Sequence, residues 1–181
     1  DSAVNPDLGG QGDRMTLFSG VRVLDLTRML AGPYGTMLMA DLGAEVLKIE
    51  EPAGGDPMRV MGPPFLPNGE SAYFLAINRN KKSVALDLTK PEGRQVFHDL
   101  VRVSDVVWDN FRPGIMAKLE CDPPRLSALN PRLICCSISA YGQEGPYRDW
   151  PAFDLALQAM GGAMSVTGEE GRAPVRMGLP I

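Results

Sequence analysis

The run Val21-Arg22-Val23-Leu24-Asp25-Leu26-Thr27-Arg28-Met29-Leu30-Ala31-Gly32-Pro33 decides the fold. A β-rich stretch breaks at Ala31-Gly32-Pro33 and gives way to small and apolar residues, the order of a strand feeding a helix whose free backbone N–H groups can face an anion. Four further runs behave alike, at residues 45–50, 83–88, 105–109 and 132–138. Helical patterns lie between them. One covers 34–42, with Met37, Leu38 and Leu42 at helical spacing, and is closed by Gly43. Another opens at Pro91, with Thr89 as its N-cap and Val96, Phe97, Leu100, Val101 and Val103 as its buried side. Shorter ones occupy 115–119, 123–129 and 153–160, the last closed by Gly161-Gly162. The alternation predicts an α/β fold: a Rossmann-like parallel sheet with flanking helices and right-handed crossovers. Ligands of open α/β sheets bind in the crevice at the carboxyl ends of the strands.

The chain has 181 residues, 44% hydrophobic and 22% charged, enough to bury a core. Its formal net charge of −4 supplies no global basic field, so neither nucleic acid nor an anionic membrane is an expected partner. No stretch reaches the roughly 20 apolar residues that span a bilayer, and the start lacks the order of a signal peptide. A cytoplasmic location is expected. Residues 1–16, polar and glycine-bearing, are expected to form a flexible tail. Residues 51–70, rich in proline and glycine, can neither continue a helix nor join a sheet interior, and form a long loop of the kind that serves as a binding segment, a lid or a plain excursion.

Cys121, Cys135 and Cys136 are odd in number, and two are adjacent, pointing to opposite faces of a strand. They are expected to be free thiols. His98, the sole histidine, sits between Phe97 and Asp99 in a helical pattern and reads as structural, which leaves zinc and Cys–His chemistry without ligands and predicts no metal site.

At the ends of the apolar runs stand Arg28, Lys90, Asn110, Phe111, Arg112 and Tyr141, with Lys118 one short helix further on. Such a set can serve a ligand with phosphates and a flat ring: cations for the phosphates, an aromatic face for stacking, an amide for polar groups. Solvated rim charges are the ordinary alternative. Neither a Gly-x-Gly-x-x-Gly turn nor a P-loop motif occurs, which argues against standard dinucleotide and nucleoside-triphosphate sites. The basic run Asn78-Arg79-Asn80-Lys81-Lys82-Ser83 could attract phosphate or form a solvated turn.

Several motifs, in order, carry a resemblance. They are Val23-Leu24-Asp25-Leu26-Thr27 through Ala31-Gly32-Pro33, Asp41-Leu42-Gly43-Ala44-Glu45-Val46, Lys48-Ile49-Glu50, Gly55-Asp56, the run from Asn78 to Ser83, Asp109-Asn110-Phe111-Arg112-Pro113-Gly114, Asn130-Pro131-Arg132, Ser137-Ile138-Ser139, Tyr141-Gly142-Gln143 and Gly145-Pro146. Together they resemble the family III CoA-transferases, the CaiB/BaiF group, from about Leu17 to the chain's end. The resemblance implies a Rossmann-like CoA-binding domain over 17–150 and, over 151–181, the start of a segment leading to a catalytic aspartate and a second, smaller domain. It also implies an interlocked homodimer.

By matching position, the resemblance assigns Arg28 and Ala31 to the first binding turn and Leu86 and Lys90 to the flanks of the adenine region. Asn110 and Phe111 follow the fourth strand, Lys118 is placed for phosphate, and Tyr141 approaches the thioester arm. The chain departs from the family at Glu51, where a cation often contacts CoA, and at Ser139, where some members carry lysine. The implied activity uses acyl-CoA and a carboxylic acid: an aspartate attacks the thioester to give a mixed anhydride, then an aspartyl-CoA thioester, and CoA passes to the second acid. That aspartate is expected in a Gly-Asp pair beyond Ile181, so no catalytic residue is assigned here. Asp154 reads as a capping or structural carboxylate. Two alternatives stay open: an α-methylacyl-CoA racemase, disfavoured because Phe153 stands where its histidine base would, and a noncatalytic acyl-CoA- or nucleotide-binding fragment.

Overall fold

The computed structural model describes residues 16–178. Its strands are β1 (Arg22–Asp25), β2 (Glu45–Glu50), β3 (Lys81–Ala85), β4 (Val106–Asp109) and β5 (Ile134–Ser137). Val23 and Leu24, successive in β1, point to opposite faces, yet both are fully buried. A strand covered on both sides belongs in the middle of a sheet that has helices on each face. The five strands are all parallel, in the order β3-β2-β1-β4-β5.

The helices are α1 (Ala31–Asp41), α2 (Ala72–Asn78), α3 (Pro91–Arg102), α4 (Ile115–Lys118), α5 (Pro123–Leu129) and α6 (Asp154–Met160). One core layer joins Leu24, Leu26 and Val107 to Phe97 and Val101 of α3 and Leu126 of α5. The other joins Val23, Val46 and Val106 to Ala40 of α1. From β1 the chain moves outward through β2 to β3, then returns to β4 on the other side of β1. The order therefore reverses between β1 and β4, and their carboxyl ends frame the crevice.

Several boundaries differ from the sequence expectation. Helix α1 begins at Ala31 rather than residue 34, because proline is tolerated in a first turn and Pro33 sits there. Of Met37, Leu38 and Leu42, Met37 alone is buried. Gly32 is required by close approach: a Cβ there would lie 2.4 Å from Thr27 Cβ. Strand β3 runs from Lys81 to Ala85, not 83–88, since Asp87 accepts from both the N–H and the hydroxyl of Thr89 and turns the chain out of the sheet. That turn also takes Thr89 away from the cap of α3, whose N-cap is Lys90 with no side-chain bond. Val96 and Val103 are exposed, so the buried side of α3 is narrower than expected.

Residues 51–70 form the expected loop, interrupted by one 3-10 turn at Pro57–Val60. The expected tail over 1–16 falls, apart from Thr16, outside the described residues, as do residues 179–181 of the terminal segment. Cys121, Cys135 and Cys136 are free thiols, and burial pushes that of Cys121 up to about 12. Among the described residues, no helix is long and apolar enough to cross a membrane.

Candidate functional site

The turn from β1 into α1 is held by side chains of three strands. Asp25, fully buried at the end of β1, accepts from the N–H of Thr27 (2.9 Å) and from its hydroxyl. Lys48 of β2 donates to the Thr27 carbonyl at 2.8 Å. Asn110, directly after β4, takes over the next residue: its Oδ1 accepts from Arg28 N–H (2.9 Å) and its Nδ2 donates to the Arg28 carbonyl (2.7 Å). Asp109 steadies that tip, accepting from Phe111 N–H and Ser137 Oγ, while burial pushes its carboxyl above the usual range. The Arg28 guanidinium then lies over the Phe111 ring, 5.3 Å from its centre.

Phe111 divides two openings. A small cleft of about 90 Å³ is lined by Leu26, Arg28, Glu50, Glu51, Leu86 and Phe111, among others. A cavity of about 520 Å³ is lined by Ala31, Asn110, Phe111, Ser139, Trp150 and Phe153, among others. Leu30 and Ala31, at the start of α1, line the cavity, and no side chain caps that helix N-terminus.

Of the residues expected at the site, Arg28, Leu86 and Phe111 meet at the small cleft, and Ala31, Asn110 and Phe111 at the cavity. Lys90, Lys118 and Tyr141 line neither opening. Lys90 is exposed at the start of α3 and Lys118 is exposed at the end of α4. Tyr141 donates to Met160 Sδ at 3.1 Å and meets Trp150 edge-on at 6.4 Å, so it reaches the cavity through that indole. Arg112, collected with the strand ends, does line the cavity. The departures fall where they matter: Glu51 on the small cleft, Ser139 on the cavity, its hydroxyl buried without a partner among the described residues.

Sequence reasoning missed Met58, Met61, Arg148 and Trp150 as cavity walls. It also left the basic run open, and the structure resolves that choice. Arg79 and Asn80 bind Asp41, Lys82 binds Glu45, and the Lys81 ammonium is buried against Asp25, Thr36, Asn78 and the Pro33 carbonyl. Burial brings Lys81 down to about 8 despite Asp25. One signal for the loop wall was present: Asp56 before Pro57 is the pattern of a capped turn, and Asp56 Oδ1 accepts from Met58 N–H at 2.9 Å. Among the described residues no group of three histidine, cysteine or carboxylate side chains could hold a metal ion.

The chain has known relatives. The chain is 44% identical to a succinate–glutarate CoA-transferase of Agrobacterium fabrum over 174 residues, 93% of this chain and 44% of the relative. It is 44% identical to an acetyl-CoA:oxalate CoA-transferase of Acetobacter aceti, over 89% of this chain and 41% of that protein. The crystal structure of a CAIB/BAIF family protein from Brucella suis superposes with a TM-score of 0.87 at 43% identity, covering 92% of this chain and 44% of its own. The chain thus spans less than half the length of these relatives. Residues 18–181 match the family described as CoA-transferase family III, and the chain belongs to it.

Proposed function

We propose that the protein carrying this chain moves CoA from an acyl-CoA thioester to a carboxylic acid, and that these residues supply its CoA-binding half. The observation that carries the reading is the pair of openings on either side of Phe111 at the reversal of strand order, one holding Arg28 and Leu86, the other facing the uncapped end of α1. In this reading the nucleotide end lies on Leu86 and the Phe111 ring, with Arg28 near its phosphates and Lys90 and Lys118 acting from the rim. The pantetheine arm passes Asn110, and the thioester enters the larger cavity. There the α1 N–H groups are placed to stabilise the oxyanion that forms when a carboxylate adds to the thioester carbonyl. Arg112 and Arg148, set in a cavity walled by Met29, Met58 and Met61, suit an acid that carries a second carboxylate. The relatives named for succinate, glutarate and oxalate support that class.

Phe153 bears on the racemase alternative. It lines the cavity and is 80% exposed, yet its ring can neither take nor give a proton. Exposed apolar side chains of the same segment, Leu155 and Val166 among them, support the homodimer as their cover. The test is transfer itself: the protein is incubated with succinyl-CoA and a free dicarboxylic acid, and CoA thioesters are followed by mass spectrometry. A new thioester is expected, with Phe111→Ala weakening CoA binding about tenfold. Rapid α-proton exchange of a 2-methylacyl-CoA without an acceptor acid would overturn transfer in favour of racemisation, and absence of CoA binding in calorimetry would overturn the site.

A further inference from the structure

We infer that Lys48 is a positioning residue of the CoA site, a single buried ammonium that locks the turn between the two openings to the loop walling the larger one. The inference rests on the CoA reading above. Lys48 lines neither opening and is 2% exposed, so it acts only through what it holds. Its Nζ donates to the Thr27 carbonyl at 2.8 Å and lies 2.8 Å from Asp56 Oδ2, a charge contact rather than an aligned hydrogen bond.

On the turn side, Asp25 already holds the N–H and hydroxyl of Thr27, so Lys48 secures that residue's remaining polar group. Asn110 then fixes both backbone groups of Arg28, and Met29 follows with φ +69°, a conformation that a non-glycine residue keeps only where its surroundings dictate it. On the loop side, Asp56 is 2% exposed and caps the turn that presents Met58, which with Met61 walls the cavity. The loop is tied back again by Asp56 N–H on Glu50 Oε2 at 2.9 Å and by Arg59 on both oxygens of Glu50. Lys48, Gly55 and Asp56 thus serve the site without lining either opening, while Ile49 and Glu50 line the small cleft. Withdrawing the Lys48 ammonium releases a turn and a wall together.

Stability and positioning can be separated because a buried pair replaced on both sides is often neutral, whereas removing one partner strands a charge. Lys48→Met alone leaves Asp56 uncompensated. Lys48→Met with Asp56→Asn removes both charges, and the Asn side-chain oxygen can still cap Met58. Urea midpoints, CoA dissociation constants from calorimetry, and amide hydrogen exchange at residues 27–29 are measured on the wild type and on both variants. The double variant is expected to recover most of the midpoint lost by the single one, to bind CoA at least about tenfold more weakly than the wild type, and to exchange those amides faster. CoA affinity at the wild-type level in the folded double variant overturns the inference. Should the wild type itself fail to bind CoA, the functional reading falls. Exchange at residues 27–29 then decides whether Lys48 positions the turn, and unchanged rates overturn that as well.

Discussion

The two walls of the larger cavity are built differently. One comes from the strand tips and the loop around Asp56, held by two buried ion pairs, Lys48 against Asp56 and Lys81 against Asp25, and by the half-buried Arg59 on buried Glu50. The other comes from residues 148–157 and is held by ring contacts, Trp150 against Tyr147 at 4.5 Å and against Tyr141, while Phe153 stands 80% exposed. A buried ion pair tolerates little displacement, because moving either partner strands the other in a medium that solvates charge poorly. Ring contacts on a surface are softer, and many neighbouring geometries cost nearly the same. The first wall is therefore set before any ligand arrives. The second keeps apolar surface available to whatever completes the site.

The contrast breaks most directly at Asp56. Asp56→Ala leaves the Lys48 ammonium without its carboxylate and is expected to cost about 3–5 kcal/mol in urea unfolding. A loss no larger than that of Trp150→Ala would erase the distinction between the walls.

Acid comes next. Burial opposes the charge on Glu50, but hydrogen bonds from Arg59, Ser83 and the Asp56 N–H outweigh it and bring the carboxyl from 4.5 down to about 2. A depressed acid stabilises the fold above its unfolded value, so this contribution is complete above pH 4.5 and disappears as pH falls toward 2. Discounted for the solvent that screens the half-exposed Arg59, the shift corresponds to about 1–3 kcal/mol. Stability measured across that window should fall in the wild type and flatten in Glu50→Gln.

The softer wall yields smaller effects. Trp150→Ala, which removes the tilted ring contact with Tyr147, is expected to cost about 1 kcal/mol by the same unfolding measurement. Phe153→Ala should stay within about 0.5 kcal/mol in stability, since most of the ring is in water. If it nevertheless weakens acyl-CoA binding severalfold, the exposed ring belongs to the ligand's path rather than to the fold.

What was legible in the chain follows the same division. Period-two alternation and glycine or proline stops placed the five strands, while the central position of β1 became visible only in the structure, where Val23 and Leu24 are both buried. The end of β3 was misjudged because Val84, Leu86 and Leu88 alternate beyond the point where the Asp87–Thr89 turn leaves the sheet, and that turn is a local polar competition which apolar periodicity does not register. Arg28, Asn110 and Phe111 could be expected at the crevice because each closely follows a strand, whereas Ala31 and Leu86 were expected there only through the family resemblance. Met58, Met61 and Trp150 come from segments with no periodicity.

By itself, the order of residues determined that this is a parallel α/β domain with family III motifs at its strand ends, since pattern and turn chemistry are local properties written along the chain. It could not tell a solvated lysine from a buried one. Lys48, Lys81 and Lys82 read alike in sequence, yet the first two are buried among acceptors and the third reaches out to Glu45 in solvent. Only tertiary structure made that choice, because desolvation and pairing depend on what the folded chain brings within about 3 Å of a charge.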